Sequence, residues 1–223
     1  ISSDRLIAMM NVKDDELVIE QKGIYSVEKF LIARRLMYWQ VYLHKTGIVA
    51  ENVLVHVLKR AKELAEKGEK LFASSSLKYF LYNQISENNF NNKTLEMFSK
   101  LDDYDVMLAI KEWTLHEDVV LSTLSKMIVD RKLLRIEIHK KEIENSFFEK
   151  KKDEVLNNLK LTRREVNYFV FTGKITNQAY NSEKPIFILN KENKTTDIAK
   201  ASDQLNIQAL TNPVVKYFIC YPK

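Results

Sequence analysis

The sequence predicts a mainly α chain that ends in a small α+β lobe, on three observations. Apolar residues recur in three- and four-residue steps through most of residues 1–131, the spacing that lines one face of a helix. Only four Gly and three Pro interrupt the 223 residues, too few for a turn-rich β fold. From Lys132 onward the alternation shortens to two, the period of a half-buried strand. Two domains are therefore expected: a helical one over residues 1–131 and a mixed one over 132–223.

The elements follow in order. Residues 3–11 read as a short helix with Leu6, Ile7 and Met10 on one face, and Leu17, Val18 and Ile19 as a brief extended segment. Ser26 is the expected N-cap of a long helix running past Leu43, its hydroxyl accepting from an early backbone N–H. Val53, Leu54, Val57, Leu58, Ala61 and Leu64 describe an amphipathic helix closed by Gly68. The Asn-rich stretch from Ser86 to Thr94 is a polar connection. Helices over 104–115 and 118–131 take their buried stripes from Val106, Ile110 and Trp113, and from Val119, Leu121, Leu124 and Ile128. In the second domain, 133–138 reads as a strand, 142–159 as a helix, 167–171 and 185–189 as strands, 197–205 as a short helix and 214–221 as a strand. The order β-α-β-β-α-β is the split βαβ, or ferredoxin-like, arrangement, with 174–184 as its one long link.

The stretch from Gly23 to Gly47 carries the functional signal. All residues from Phe30 to Leu43 are apolar or aromatic except Arg34, Arg35 and Gln40. A helix apolar on every side is expected to be buried. A buried guanidinium costs several kcal/mol unless an acid or an anionic ligand meets it, so each Arg requires a partner. Residues four apart share a helix face, which aligns Arg34, Tyr38 and Tyr42, with Lys45 one step beyond, as a ridge of donors and rings suited to a phosphorylated ring compound. The same spacing also fits Arg34 paired with a carboxylate, Tyr38 and Tyr42 as core aromatics, and Lys45 extended into solvent.

Residues 3–59, and in particular DRLIAMMNVKDDELVIEQKG followed by Arg34, Tyr42 and His44-Lys45-Thr46-Gly47, resemble the C-terminal part of HD-domain phosphohydrolases. The branch is that of the deoxynucleoside triphosphate triphosphohydrolases, which includes the SAM-and-HD-domain enzyme. The likeness continues more faintly through LDDYDVMLAIKEW. It implies that Arg34 faces the triphosphate, that Tyr42 packs on the deoxyribose, and that the intact protein hydrolyses deoxynucleoside triphosphates (dNTPs) to deoxynucleoside and triphosphate. Tyr38 stands where the mammalian enzyme has His, and Lys45 is a phosphate or structural candidate. Glu20 lies close to the position of an Arg that contacts an activating nucleotide in that enzyme, which argues against activation of that type. The family also commonly forms homo-oligomers.

The resemblance further implies a divalent metal held by a His, a His-Asp pair and a distant Asp, all upstream of the matched region. None of His44, His56, His116 and His139 is followed by Asp. His116-Glu117-Asp118 reads as acids at a helix start, where negative charge is favourable, and not as a metal site. The chain also opens at Ile1 without a Met. It is therefore expected to be the C-terminal portion of a longer enzyme, binding no metal, contributing no catalytic residue and inactive alone. The alternative is a non-catalytic oligomerisation or regulatory binding module.

Composition bounds the remaining classes. The net charge of +5, from 35 cations against 30 anions, does not argue for nucleic acid. Tyr168, Phe169, Phe171, Tyr217, Phe218 and Tyr221 supply strand aromatics, yet the aromatic octamer of RNA-recognition modules is absent. Lys150, Lys151 and Lys152 read as a solvated helix face. The single Cys220 excludes an internal disulfide, and no apolar run or signal pattern points to a membrane, so cytoplasmic residence is expected.

Overall fold

A computed structural model describes residues 3–203, 207 and 210–223. The chain opens with helix α1 (Ser3–Ala8), followed by strands β1 (Met10–Lys13) and β2 (Glu16–Glu20). Asp14 and Asp15, both at positive φ (53° and 65°), make the two-residue turn between the strands, the backbone sense that matches hairpin twist. A 3₁₀ turn, Gln21–Gly23, leads into α2 (Ile24–Met37). Because that turn is already helical, α2 starts from Gly23 without a side-chain cap, and Ser26 lies inside the helix instead of capping it.

Next come α3 (Lys45–Glu66), α4 (Ser75–Tyr82), α5 (Asn92–Ser99), α6 (Asp103–Trp113) and α7 (Val119–Val129). Gly68, at φ 88°, closes α3 as expected. The polar stretch 86–94 is less open than expected, since it holds a 3₁₀ turn and the start of α5, where Asn91 accepts from Thr94 N at 3.0 Å. Then follow β3 (Arg135–His139), α8 (Asn145–Leu159), β4 (Phe171–Asn177), β5 (Phe187–Leu189), β6 (Thr195–Asp197), α9 (Ile198–Ala201) and β7 (Val214–Tyr221). The expected helix over 197–205 is described only as α9, and residues 204 and 205 lie outside the described residues.

Residues 167–170 are not part of the expected strand, which begins only at Phe171. Thr162 and Glu165 bond reciprocally, Thr162 Oγ1 to Glu165 Oε2 at 2.7 Å and Glu165 N to Thr162 Oγ1 at 3.3 Å, which fixes a 3₁₀ turn over Glu165–Tyr168. Local side-chain bonds to the backbone thus outweigh the β preference of Tyr168 and Phe169.

The chain forms two compact units that interleave in sequence: Ile1–His44 with His139–Glu142 and Lys174–Tyr217, and Lys45–Ile138 with Ile143–Gly173 and Phe218–Lys223. The boundary expected between residues 131 and 132 falls within the second. In the first unit a four-stranded sheet runs β1-β2-β5-β6, with β5 parallel to β2 and Val18 opposite Phe187. Its core joins Ile19, Val27, Leu31, Tyr180, Ile188 and Ile198. Tyr180 donates to Asp197 at 2.6 Å while accepting from Ile186 N at 2.9 Å, so its buried hydroxyl is satisfied. Buried Glu28 accepts from Ser202 at 2.5 Å.

The remaining strands form a sheet of order β3-β7-β4. The lobe is α+β as expected, but β5 pairs with β2 and not with these three, so among the described residues its strands do not form one ferredoxin-like sheet. The exchange buries Val18 and Ile19, at 1% and 4% exposure.

In the second unit the stripe Val53, Val57, Ala61 and Leu64 packs α3 against α7 and α4. Fully buried Trp113 donates its indole N–H to Phe72 O at 2.9 Å. On β4, a Cβ at Gly173 would lie 2.5 Å from the ring of buried Phe218 on β7. Gly173→Ala is expected to lower stability by about 1–3 kcal/mol, the cost of overpacking, read from the denaturant midpoint. A wild-type midpoint would show that the ring has room to move.

Candidate functional site

Arg34, Tyr38 and Tyr42 come together in the first unit. After Met37 the chain widens into a π-helical turn over Tyr38–Tyr42, in which Leu43 N donates to Tyr38 O at 2.7 Å, an i to i+5 bond. Such turns are rare and recur at functional sites. The Arg34 guanidinium lies over the Tyr38 ring, 5.2 Å from its centroid, and the Tyr38 and Tyr42 rings are 5.2 Å apart at 46°. Lys216 on β7 lies 3.8 Å from the centroid of the Trp39 ring, a cation–π contact that ties the π turn to the unit's last strand.

The expected burial of this helix is not seen within the chain. Only Val27, Glu28 and Leu31 of α2 are buried, while Leu36, Met37, Val41 and Tyr42 are 51%, 49%, 59% and 62% exposed. The hydrophobic cluster takes Val27 and Leu31 from α2, with Ile24 and Ile32 packed against it. Arg34 is exposed too, so no desolvation cost demands a partner, and among the described residues no acid pairs with it. Its outward N–H groups keep the planar fork that suits phosphate or carboxylate oxygens. Lys45 does not continue the ridge on one helix, because the helix ends at Leu43 (φ −103°, ψ 25°) and Lys45 begins α3 in the second unit.

The second unit holds an ion-pair network that the sequence pattern did not single out. Arg60 on α3, with its side chain 7% exposed, donates Nε to Asp118 Oδ1 at 3.0 Å and Nη2 to Asp118 Oδ2 at 2.6 Å. It also reaches Glu63 at 3.2 Å and Glu165 at 3.4 Å. Burial opposes ionisation of Asp118, but the bonds from Arg60 and from Leu121 N win and hold its carboxyl below the usual range. Glu63 is likewise held low, against burial, by Tyr168, Arg164 and Arg60. Burial and the bond to Glu63 push the Tyr168 hydroxyl up to about 12. Asp118 also caps α7, so the acid read as part of a helix start serves two structural roles.

Beside this network, α3 and the 165–168 turn enclose an open groove of ≈ 710 Å³, lined by His56, Lys59, Lys62, Glu63, Arg164 and Tyr168 among others. His56 Nδ1 lies 3.0 Å from Tyr168 O, which can only accept, so the proton sits on Nδ1 and Nε2 is left as an acceptor. Burial lowers the His56 pKa below its ordinary 6.5, with nearby Lys59 acting in the same direction and the carbonyl bond opposing. A lowered folded-state pKa means that the unfolded chain protonates first, so stability is lost as pH falls from about 6.5 toward the folded value. His56→Gln is expected to flatten the decline of melting temperature between about pH 7.5 and 5.5. An unchanged slope would remove His56 as its source.

Among the described residues no group of three or more His, Cys, Asp or Glu could hold a metal ion. In the His-Glu-Asp stretch His116 Nδ1 accepts from Asp118 N at 3.0 Å. No helix among the described residues is long and apolar enough to cross a membrane.

With this geometry in place, the matches fall on the elements that build it. Residues 1–79, which carry α1, β1, β2, α2, the π turn and α3, match the family model described as HD associated region. Together with the solved structure below, this supports an HD-phosphohydrolase-related protein. A crystal structure of a phosphohydrolase from Bacteroides thetaiotaomicron superposes with a TM-score of 0.93 at 46% identity, over 100% of this chain and 56% of that one. The uncharacterized protein YwfO of Bacillus subtilis is 31% identical over 147 residues, 66% of this chain and 32% of its own length. An uncharacterized Mycoplasma pneumoniae protein, the MG461 homolog, is 26% identical over 195 residues, 84% of this chain and 44% of its length. The chain thus spans less than two thirds of each of these relatives.

Proposed function

We propose that this chain is the C-terminal portion of an HD-domain phosphohydrolase whose intact form hydrolyses dNTPs to deoxynucleoside and triphosphate. In this reading Arg34 holds phosphate oxygens, Tyr42 packs on the sugar, and Tyr38 braces Arg34 while lying near the sugar or base. Lys45, which begins α3 in the second unit, stays a separate phosphate or structural candidate. In the intact protein a divalent metal held by residues outside this chain supplies the activated water. These 223 residues position substrate and do not catalyse alone. The observation that carries the reading is an exposed guanidinium stacked on Tyr38, with no acidic partner among the described residues, inside the segment that matches the HD-associated region. The test is triphosphate release by the intact protein carrying Arg34→Ala, with its oligomer size measured alongside.

A second reading, an assembly module, draws on a different surface. Leu95, Phe98, Tyr104 and Leu108 on α5 and α6 are 54%, 62%, 85% and 50% exposed, and exposed apolar residues in such a run suit contact with a second copy of the chain. Arg34→Ala that leaves activity intact, together with Phe98→Glu that shrinks the oligomer, would favour this reading.

A further inference from the structure

We infer that the groove between α3 and the 165–168 turn is a binding site for a small phosphorylated ring compound, of nucleotide size. Its volume of ≈ 710 Å³ lies within the roughly 300–1,000 Å³ range of small-molecule sites. The walls are preorganised, because Arg60 locks α3 to Asp118 at the start of α7 and to Glu165 on the opposite wall.

The rim supplies the anion handle. Lys59 is exposed, and no acid pairs with it among the described residues. Arg164, with its side chain 76% exposed, spends one contact on Glu63 at 3.3 Å. Glu63 keeps Arg60 at 3.2 Å, so Arg164 can turn to a phosphate without leaving that carboxylate unmatched. Lys62 is not such a handle, because its ammonium is held by Phe80 O at 2.9 Å and Asn83 O at 2.7 Å.

The floor suits a planar ring. Leu58 and the Tyr168 ring offer apolar area, while the His56 Nε2 acceptor and the side-chain oxygen of exposed Asn167, whose nitrogen is held by Arg163 O and Arg164 O at 3.3 Å, present acceptors to the donor edge of a polar ring. A free anion would use the rim alone, whereas a phosphorylated ring uses both. The site lies in the second unit and does not depend on the Arg34 ridge of the first, so either assignment can fail without the other.

The test is calorimetric titration of the 223-residue chain with ATP, pyrophosphate and adenosine as probes. ATP is expected to bind more tightly than pyrophosphate or adenosine. Lys59→Glu with Arg164→Glu is expected to weaken ATP at least tenfold with the far-ultraviolet circular dichroism of the folded chain retained, the melting temperature falling somewhat because Arg164 also meets Glu63. Lys93→Glu with Lys100→Glu, the same charge change on exposed α5 residues and their flank, is expected to leave ATP binding as it was. The proposal is overturned if no probe binds at about 1 mM, if pyrophosphate binds as tightly as ATP, if the α5 control weakens ATP equally, or if binding is lost on Arg34→Glu and not on the groove variants.

Discussion

Arg34→Ala in the intact protein is expected to lower triphosphate release from a dNTP by about 100-fold or more, with oligomer size and melting temperature unchanged. The scale is that of removing one preorganised donor from charge that develops in a transition state, about 2.7–4 kcal/mol. Stability is expected to hold because Arg34 is exposed and its one defined contact is the Tyr38 ring at 5.2 Å, worth about 0.5–1 kcal/mol at such a site. Arg34→Lys restores charge without the planar fork, so it is expected to recover only part of the rate. Tyr42→Ala is expected to act mainly on KM if the ring packs on the sugar in ground and transition states alike. Wild-type kcat/KM in Arg34→Ala would end the substrate-positioning reading.

The largest effect on stability is expected at Arg60. Arg60→Met keeps the side chain's length and removes the cation that joins Asp118, Glu63 and Glu165, and it is expected to cost about 3–5 kcal/mol, the scale for stripping one partner from a buried pair. The pH dependence supplies a second readout. Asp118 and Glu63 have folded-state pKa values below their ordinary ones, so their stabilisation is present above the unfolded value near 4 and is lost as pH falls through the folded values. Without Arg60 that acid loss shrinks chiefly at Asp118, because Glu63 keeps its bonds to Tyr168 and Arg164. A denaturant midpoint within about 1 kcal/mol of wild type would show that the network is solvated surface.

What was legible in the sequence was local. The three- and four-residue steps located α3, α6 and α7, and Asp118 at the head of α7 follows from its position before an apolar run. The spacing of Arg34, Tyr38 and Tyr42 correctly put them side by side. The π turn beneath them was not legible, since a shift from i+4 to i+5 bonding leaves no residue signature. Strand partners were not legible either: the pairing of Val18–Glu20 with Phe187–Leu189 rests on complementary burial between distant segments. The groove escaped for the same reason, because Lys59 on an amphipathic helix reads as a solvated face until Arg164 and Tyr168 arrive from far along the chain.

The parallel pairing of β2 with β5 bears on how this polypeptide emerges during synthesis. The β1–β2 hairpin is made well before β5, and its open edge stays without a neighbour until residues 187–189 have left the ribosome. Throughout that interval Val18 and Ile19 lie uncovered on a nascent chain, the condition under which strand edges recruit other chains. A premature stop anywhere between α8 and β5 would make that exposure permanent, so such truncated products should accumulate as aggregates or be degraded.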